Sequence, residues 1–253
     1  MTDLSLTRTT GLAKYNALLL SRNRMAMLYG VGLPLAPLAL LLSTPEGSGA
    51  AAIATVLTMA ALFPVYYNVL SQFVNRRDEL VLKRLRTGET SDPELLTSIA
   101  LPGAVLALGV MLVAVPVAVI LGEPVPLNPV VYAVTGLVTV VLFTAFAFWT
   151  AAWTRNAEAA QLTSGPVILL AVFGQMSVAF PERVQRWIDL TPGAAMTDLV
   201  RTGWFGFGEP GTERTLDFAD TWAAAAQPLL VLVAWTVLAV WLAARSMHWE
   251  PRT

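Results

Sequence analysis

Six stretches of the chain run apolar without a single Asp, Glu, Lys, Arg or His: Met25–Leu42, Ala50–Val74, Leu95–Leu121, Asn128–Trp153, Ala159–Phe180 and Trp222–Ala244. A helix needs about 20 such residues to cross the hydrocarbon core of a bilayer, where every backbone amide must find its partner inside its own segment. Each stretch therefore predicts a spanning helix, and the pattern as a whole predicts an all-α integral membrane protein. Pro34 and Pro37 predict a kink in the first span. Pro64, Pro102, Pro116, Pro166 and Pro228 fall within or at the edges of other spans, where membrane helices tolerate proline.

The polar positions are as informative as the apolar ones. Leu12, Tyr15, Leu18, Leu19 and Arg22 fit a helix lying in the headgroup plane, or equally a basic flank that sets topology. This segment does not read as a cleavable signal, because its apolar run Ala17–Leu20 is short and Arg22 and Arg24 follow directly. Charge is concentrated between the second and third spans, over Asn75–Glu94. Within it, Asp78 to Arg86 has helical amphipathicity, with Leu82 and Leu85 on one face and Arg77, Lys83, Arg84 and Arg86 around them. Gly88 is placed to end that helix, and Ser91-Asp-Pro-Glu94 has the spacing of a capping box that starts the third span. The alternative is a topogenic loop whose leucines rest on the membrane. No repeat of fixed period divides the chain, so residues 1–253 read as one transmembrane domain, with a coupling loop at 75–94 and an external loop at 181–221.

Composition sharpens the class. Apolar residues make up 56% of the chain and charged residues only 13%, about half the charge of a soluble domain, so the apolar excess must face lipid. The net charge of −1 argues against nucleic acid as the main partner. Basic residues cluster before the first span (Arg8, Lys14, Arg22, Arg24) and after the second (Arg76, Arg77, Lys83, Arg84, Arg86). Others are Arg155 and, in the tail, Arg245 and Arg252, while the loops carrying Glu46 and Glu123 have none. The fifth loop is mostly acidic. By the positive-inside rule, both termini and the charged loop face the cytoplasm.

The chemistry of a self-sufficient enzyme is missing. Neither lysine, Lys14 or Lys83, follows a glycine as a phosphate-binding loop requires. With no cysteine and one histidine, His248, neither a zinc site nor a Ser-His-Asp device is expected, so no catalytic or metal-ligating residue is assigned. Thr163-Ser-Gly-Pro166 is better read as small-residue helix packing than as an intramembrane nucleophile. The polar residues at membrane depth are neutral: Asn68 and Gln72 in the second span, Gln161 and Gln175 in the fifth. They either hydrogen-bond between helices or line a path. An ion-coupled carrier would place ionisable groups there.

Two segments resemble a known family, the ABC type-2 membrane permeases, which include drug and antibiotic exporters. One is Arg77-Asp-Glu-Leu-Val-Leu-Lys-Arg-Leu-Arg-Thr87 after the second span. The other is Phe180-Pro181 followed by Leu190-Thr-Pro-Gly-Ala-Ala-Met-Thr-Asp-Leu-Val-Arg201, similar to the family's Pro-x-x-x-x-x-Asp-x-x-Arg segment through Pro192, Asp198 and Arg201. The order of spans agrees along nearly the whole chain. Leu80-Val81 replaces a common Gly-Thr, the usual proline near Gly88-Glu89 is missing, and Gln175-Met-Ser-Val-Ala179 replaces a glycine-rich approach to the external loop.

The resemblance implies a type V exporter-like fold: an N-terminal connecting helix, a cytoplasmic coupling helix and short extracellular helices around Trp187–Phe207. Trp187, Trp204, Phe205 and Phe207 suit a membrane interface, a soluble loop being the alternative. It implies that Arg77, Asp78, Glu79, Leu82, Lys83, Arg84, Leu85 and Arg86 dock a separate ATP-binding cassette subunit, which would hold the ATP and magnesium. It also implies a second permease subunit, identical or related, with second and fifth spans lining a path. Asn68, Gln72, Phe73, Gln161 and Phe173 are the candidate path residues, and a mostly apolar path suits a lipophilic or amphiphilic substrate. The expected location is a bacterial plasma membrane. The rival expectation is a six-span subunit that docks a cytoplasmic partner without moving a substrate.

Overall fold

The computed structural model describes residues 6–43, 49–79, 91–208 and 216–246. Six helices in it are long and apolar enough to cross a membrane: Arg24–Leu42, Ala50–Asp78, Asp92–Ile120, Pro129–Trp153, Glu158–Ser177 and Asp220–Ser246. They match the six sequence stretches, and no strand occurs among the described residues. The second and fourth spans form the centre of the bundle. In their most apolar windows 67% and 61% of residues are buried, against 17–33% in the other four, whose outer faces are left for lipid. Aromatic contacts join the two, Tyr66 against Phe143 at 6.5 Å and Phe73 against Phe148 at 5.6 Å between ring centroids.

Proline sets the local irregularities. The first span passes from a π-helical turn at Leu28–Gly32 through Leu33–Leu35 into a 3-10 helix at Ala36–Leu42, so the kink expected at Pro34 and Pro37 takes the form of a change in winding. In the second span Pro64 has no N–H to donate, and the helix widens to i→i+5 bonding over Ala61–Tyr67 before returning to α over Asn68–Asp78. The third span crosses here at Gly103, where a Cβ would fall 2.0 Å from the Pro64 carbonyl oxygen. Only glycine allows that approach. Pro102 and Pro116 leave the third span continuous over Asp92–Ile120, and its start carries the expected reach-back bond, with Ser91 N donating to Glu94 Oε2 at 2.8 Å.

The second helix continues to Asp78, beyond the apolar stretch that ends at Val74. Arg76, Arg77 and Asp78 are thus its last turn instead of belonging to a separate loop helix. Residues 80–90, which hold Leu82, Lys83, Arg84, Leu85 and Arg86, lie outside the described residues. The N-terminal helix Leu6–Arg22 buries Thr9, Ala13 and Asn16 against the third span and leaves Tyr15, Leu18 and Leu19 exposed. At the other end of the bundle the fourth and sixth spans start side by side, with Asn128 Nδ2 donating to Thr221 Oγ1 at 2.9 Å. Two short helices, Glu182–Ile188 and Pro192–Val200, and a π turn at Arg201–Phe205 fill the connection before the sixth span.

Candidate functional site

The second span is the most enclosed helix, yet one stripe of it stays open. Ala51, Thr55, Met59, Phe63, Tyr67, Ser71 and Asn75 are exposed or half-exposed, four residues apart, while most of the helix between them is buried. In a regular α-helix residues four apart overshoot a full turn by about 40°, so such a stripe would wind round the helix. The wider π turn at Ala61–Tyr67 winds it back, keeping Thr55 and Tyr67 nearer one line. The first span borders the stripe through Tyr29, stacked on Phe63 at 6.1 Å, and Phe63 stacks in turn on Tyr67 at 5.7 Å. The fifth span borders it at two heights. Thr55 Oγ1 donates to Gln175 Oε1 at 3.1 Å, and Gln175 Nε2 donates to Thr58 Oγ1. Further along, Tyr67 Oη and Ser164 Oγ share a hydrogen bond at 3.3 Å. The surface so formed offers aromatic faces, hydroxyls and the carboxamides of Gln175 and Asn75, and no formal charge between Ala51 and Asn75.

The path residues expected from sequence distribute unevenly around this surface. Gln161 and Phe173 are exposed on the fifth span, with Phe173 edge-on to Phe180 at 6.1 Å. Phe73 is buried against Phe148 in the core of the bundle, so it does not line an open surface. Asn68 and Gln72 are half-buried and enter a polar ladder along the side of the second span. Gln72 Nε2 donates to Asn68 Oδ1 at 2.9 Å, and Arg76 Nη2 donates to Gln72 Oε1 at 3.3 Å and to Asn16 Oδ1 at 2.5 Å. Asn16 Nδ2 then donates to the Ser98 carbonyl at 2.7 Å. Of the two expectations for Asn68 and Gln72, interhelical bonding or path lining, the bond between them runs within one helix, and Arg76 carries the link to the N-terminal helix. Gln175 does bridge two spans. The residues that sequence reasoning missed are Thr55, Phe63, Tyr67 and Ser71. Their four-residue spacing was visible, but in a wholly apolar helix nothing marks which face is left open.

At the basic end, Arg77 is 0% exposed. Its Nη1 donates to the Ala151 carbonyl at 2.8 Å, and its Nη2 donates to the carbonyls of Thr154 at 2.6 Å and Arg155 at 3.1 Å. These belong to the C-terminal turn of the fourth span and the residues just beyond it, a place where carbonyls lack helical partners and a cation is favoured. The guanidinium of Arg77, expected to face a docking partner, is instead enclosed: Nη1 and Nη2 bond to carbonyls of this chain and Nε lies 3.8 Å from Asp78 Oδ1. Asp78 and Glu79 are exposed at the mouth of the same turn.

At the opposite end, Pro192 is buried in the first turn of its helix, and Arg201 lies with its guanidinium 5.9 Å from the Phe207 ring. Trp204 and Phe205, expected at a membrane interface, are buried in the protein. Trp204 donates Nε1–H to the Pro124 carbonyl at 2.8 Å and stands edge-on to Tyr132 at 5.0 Å. Trp187, at 76% exposure, is the aromatic of this segment left outward.

Asp198 lies between these features. Burial pushes its carboxyl up to about 6, against the pull of Arg201 and with a further push from Asp189. Between the ordinary value of 3.8 and about 6 the folded chain keeps a proton that the unfolded chain has lost. Stability from this group is therefore full below that window and is lost as pH rises through about 6. Asp198→Asn should remove the dependence, so the variant's gain in melting temperature over the parent should be larger at about pH 7.5 than at about pH 4.5. Equal gains at both would show that the carboxyl is not held up by burial.

A six-span helical bundle with a charged loop between its second and third helices and a capped connection before its sixth defines a multi-pass membrane protein. The model of the ABC-2 family transporter proteins matches residues 27–245, and the chain belongs to that family. Its members are membrane transport subunits that work with a separate cytoplasmic ATP-binding subunit. A search of curated proteins finds no match for the chain.

Proposed function

We propose that this chain is the permease subunit of an ATP-driven exporter that moves a lipophilic or amphiphilic molecule. Two permease subunits, identical or related, face each other with their second and fifth spans toward a shared path. Two ATP-binding subunits dock from the cytoplasm on the loop that follows Arg77, and their closure on ATP switches the path from inward- to outward-open. The membrane subunit needs no chemistry of its own, because the nucleotide biases the equilibrium through its different affinity for the two states.

The observation that carries this reading is the open stripe of the second span. Tyr29, Phe63 and Tyr67 supply stacked aromatic faces, and Thr55, Ser71 and Gln175 supply neutral donors and acceptors. Such a surface suits a large molecule with few polar groups, and it offers a proton or metal ion nothing to ride on. Orientation with both termini in the cytoplasm follows from the basic residues at the end where Arg76 and Arg77 sit.

The test is reconstitution of the chain with the ATP-binding subunit that co-purifies with it. ATP-dependent movement of amphiphilic dyes across proteoliposomes is expected, unchanged by an ionophore that collapses the proton gradient. Tyr67→Ala should raise the half-saturating dye concentration about tenfold, as expected for loss of one stacked aromatic contact worth about 1.4 kcal/mol. Transport that survives without ATP and stops with the gradient would replace this reading by an ion-coupled carrier. Partner binding without any transport would leave a docking subunit.

A further inference from the structure

The basic end of the second span is joined to the fifth by a chain of short contacts that begins at Arg77. The guanidinium holds the Ala151, Thr154 and Arg155 carbonyls. Thr154, the C-cap of the fourth span, shares a hydrogen bond with Thr163 of the fifth at 2.8 Å between hydroxyl oxygens, and its own hydroxyl is anchored to the Thr150 carbonyl at 2.7 Å. Thr150 Oγ1 accepts from Tyr66 Oη at 3.0 Å, which returns to the second span. The connection between fourth and fifth spans is short and itself capped, with Asn156 Oδ1 accepting from Ala159 N at 2.8 Å.

A buried arginine is costly unless its donors are met; here Nη1 and Nη2 hold three carbonyls at a helix end, a planar fork fixed in three places, and Nε lies 3.8 Å from Asp78 Oδ1. Thr163 lies one residue before Ser164, the partner of Tyr67 on the open stripe. The root of the charged loop and the fifth-span border of the open surface are therefore two hydrogen-bonded steps apart.

We propose that Arg77 is a positioning residue for coupling. It clamps the root of the loop to the ends of the fourth and fifth spans, so that displacement of the loop carries the fifth span with it instead of bending the second span alone. This rests on the proposed docking of an ATP-binding subunit on residues 78–86. The contacts made by that subunit fall on the far side of the clamp, since the Arg77 head is enclosed. Arg77 thus transmits the push and does not receive it.

The chain has no cysteine, so spin labels can be placed without background. One pair goes on Glu79 and Glu158, both exposed and on opposite sides of the clamp. A second pair, on Glu158 and Trp222, reports the fifth span against the opposite end of the bundle, where Trp222 is exposed. Distances are measured by pulsed electron resonance on the reconstituted complex, without nucleotide and trapped with ATP, magnesium and vanadate.

In the parent, nucleotide should change the Glu158–Trp222 distance while Glu79 and Glu158 keep theirs. In Arg77→Met the pattern should invert, with Glu79 moving away from Glu158 and Glu158 staying still. ATP hydrolysis should persist while dye transport per ATP falls at least tenfold. Arg77→Lys, which keeps the charge and loses the fork, should recover only part of the coupling. Thr163→Val leaves Arg77 intact and breaks the next step, so it should loosen coupling even where Arg77→Met fails to assemble.

If both variants assemble and keep the parent's distance pattern and transport per ATP, the clamp is structural and the proposal is wrong. If nucleotide moves neither pair in the parent, docking on this loop fails and the clamp falls with it.

Discussion

Replacing Leu82 and Leu85 together by aspartate is expected to abolish coupling to the ATP-binding subunit. A leucine fully buried at the centre of a small helical contact contributes about 2 kcal/mol through its apolar area, and an aspartate adds the cost of burying a charge. Two such losses weaken association by about a thousandfold, since each 1.4 kcal/mol is a factor of ten. Stimulated ATP hydrolysis and dye transport should both vanish, while membrane insertion and the melting temperature of the isolated chain stay as they were. The prediction rests on the amphipathic pattern of residues 78–86. Co-purification at parent levels with the double variant would place the docking surface elsewhere. The contrast with Arg77→Met is informative: the leucine variants should lose the partner, whereas the arginine variant should keep it and lose the transmission.

The second large effect belongs to the opposite end. Gly174, near the end of the fifth span, crosses Gly193 in the first turn of the helix Pro192–Val200. A Cβ on Gly174 would fall 1.8 Å from Ala194 N, and a Cβ on Gly193 would fall 2.1 Å from the Ala171 carbonyl oxygen. Both obstacles are backbone, so no rotamer change relieves them. Gly174→Val should therefore push the helix out of its seat, together with Met196 and Leu199, which are fully buried there. A cost of at least ~3 kcal/mol is expected, at the upper end for overpacking. Faster proteolysis between residues 182 and 208 and a lowered melting temperature would report it. A variant as resistant as the parent would mean that the two helices can separate freely. Trp235, which donates Nε1–H to the Leu190 carbonyl at 2.7 Å, holds the start of that helix from the sixth span and should limit how far it moves.

The six spans could be read from the chain because the bilayer imposes a length and a composition on each, independent of neighbours. The same holds for the Ser91-Asp-Pro-Glu94 start of the third span, whose bond from Ser91 N to Glu94 Oε2 is local. Arg77 and Asp78 were legible as charged but not as the end of the second span, because an apolar window stops at Val74 while the helix does not. What Arg77 touches is more than 70 residues away, and no pattern near it announces the carbonyls of Ala151 and Thr154. Phe73 and Phe63 look alike in an uncharged helix. The first meets Phe148 in the core and the second meets Tyr29 at the open stripe.

Trp204 and Trp187 show the same division among interfacial aromatics. Both sit in a polar connection that invites a membrane-surface assignment, yet Trp204 finds the Pro124 carbonyl and Tyr132 and turns inward. Family membership was likewise within reach of the chain alone, since the charged loop and the Pro192, Asp198 and Arg201 segment are short linear patterns. By itself the sequence determined that this protein is a six-span membrane subunit with its charge concentrated in one loop, because hydrophobic length and charge act locally. Only the tertiary structure decided that the loop's root is clamped by a buried Arg77 and that the second span opens along Thr55, Phe63 and Tyr67. Burial and hydrogen-bond satisfaction depend on which distant backbone arrives alongside.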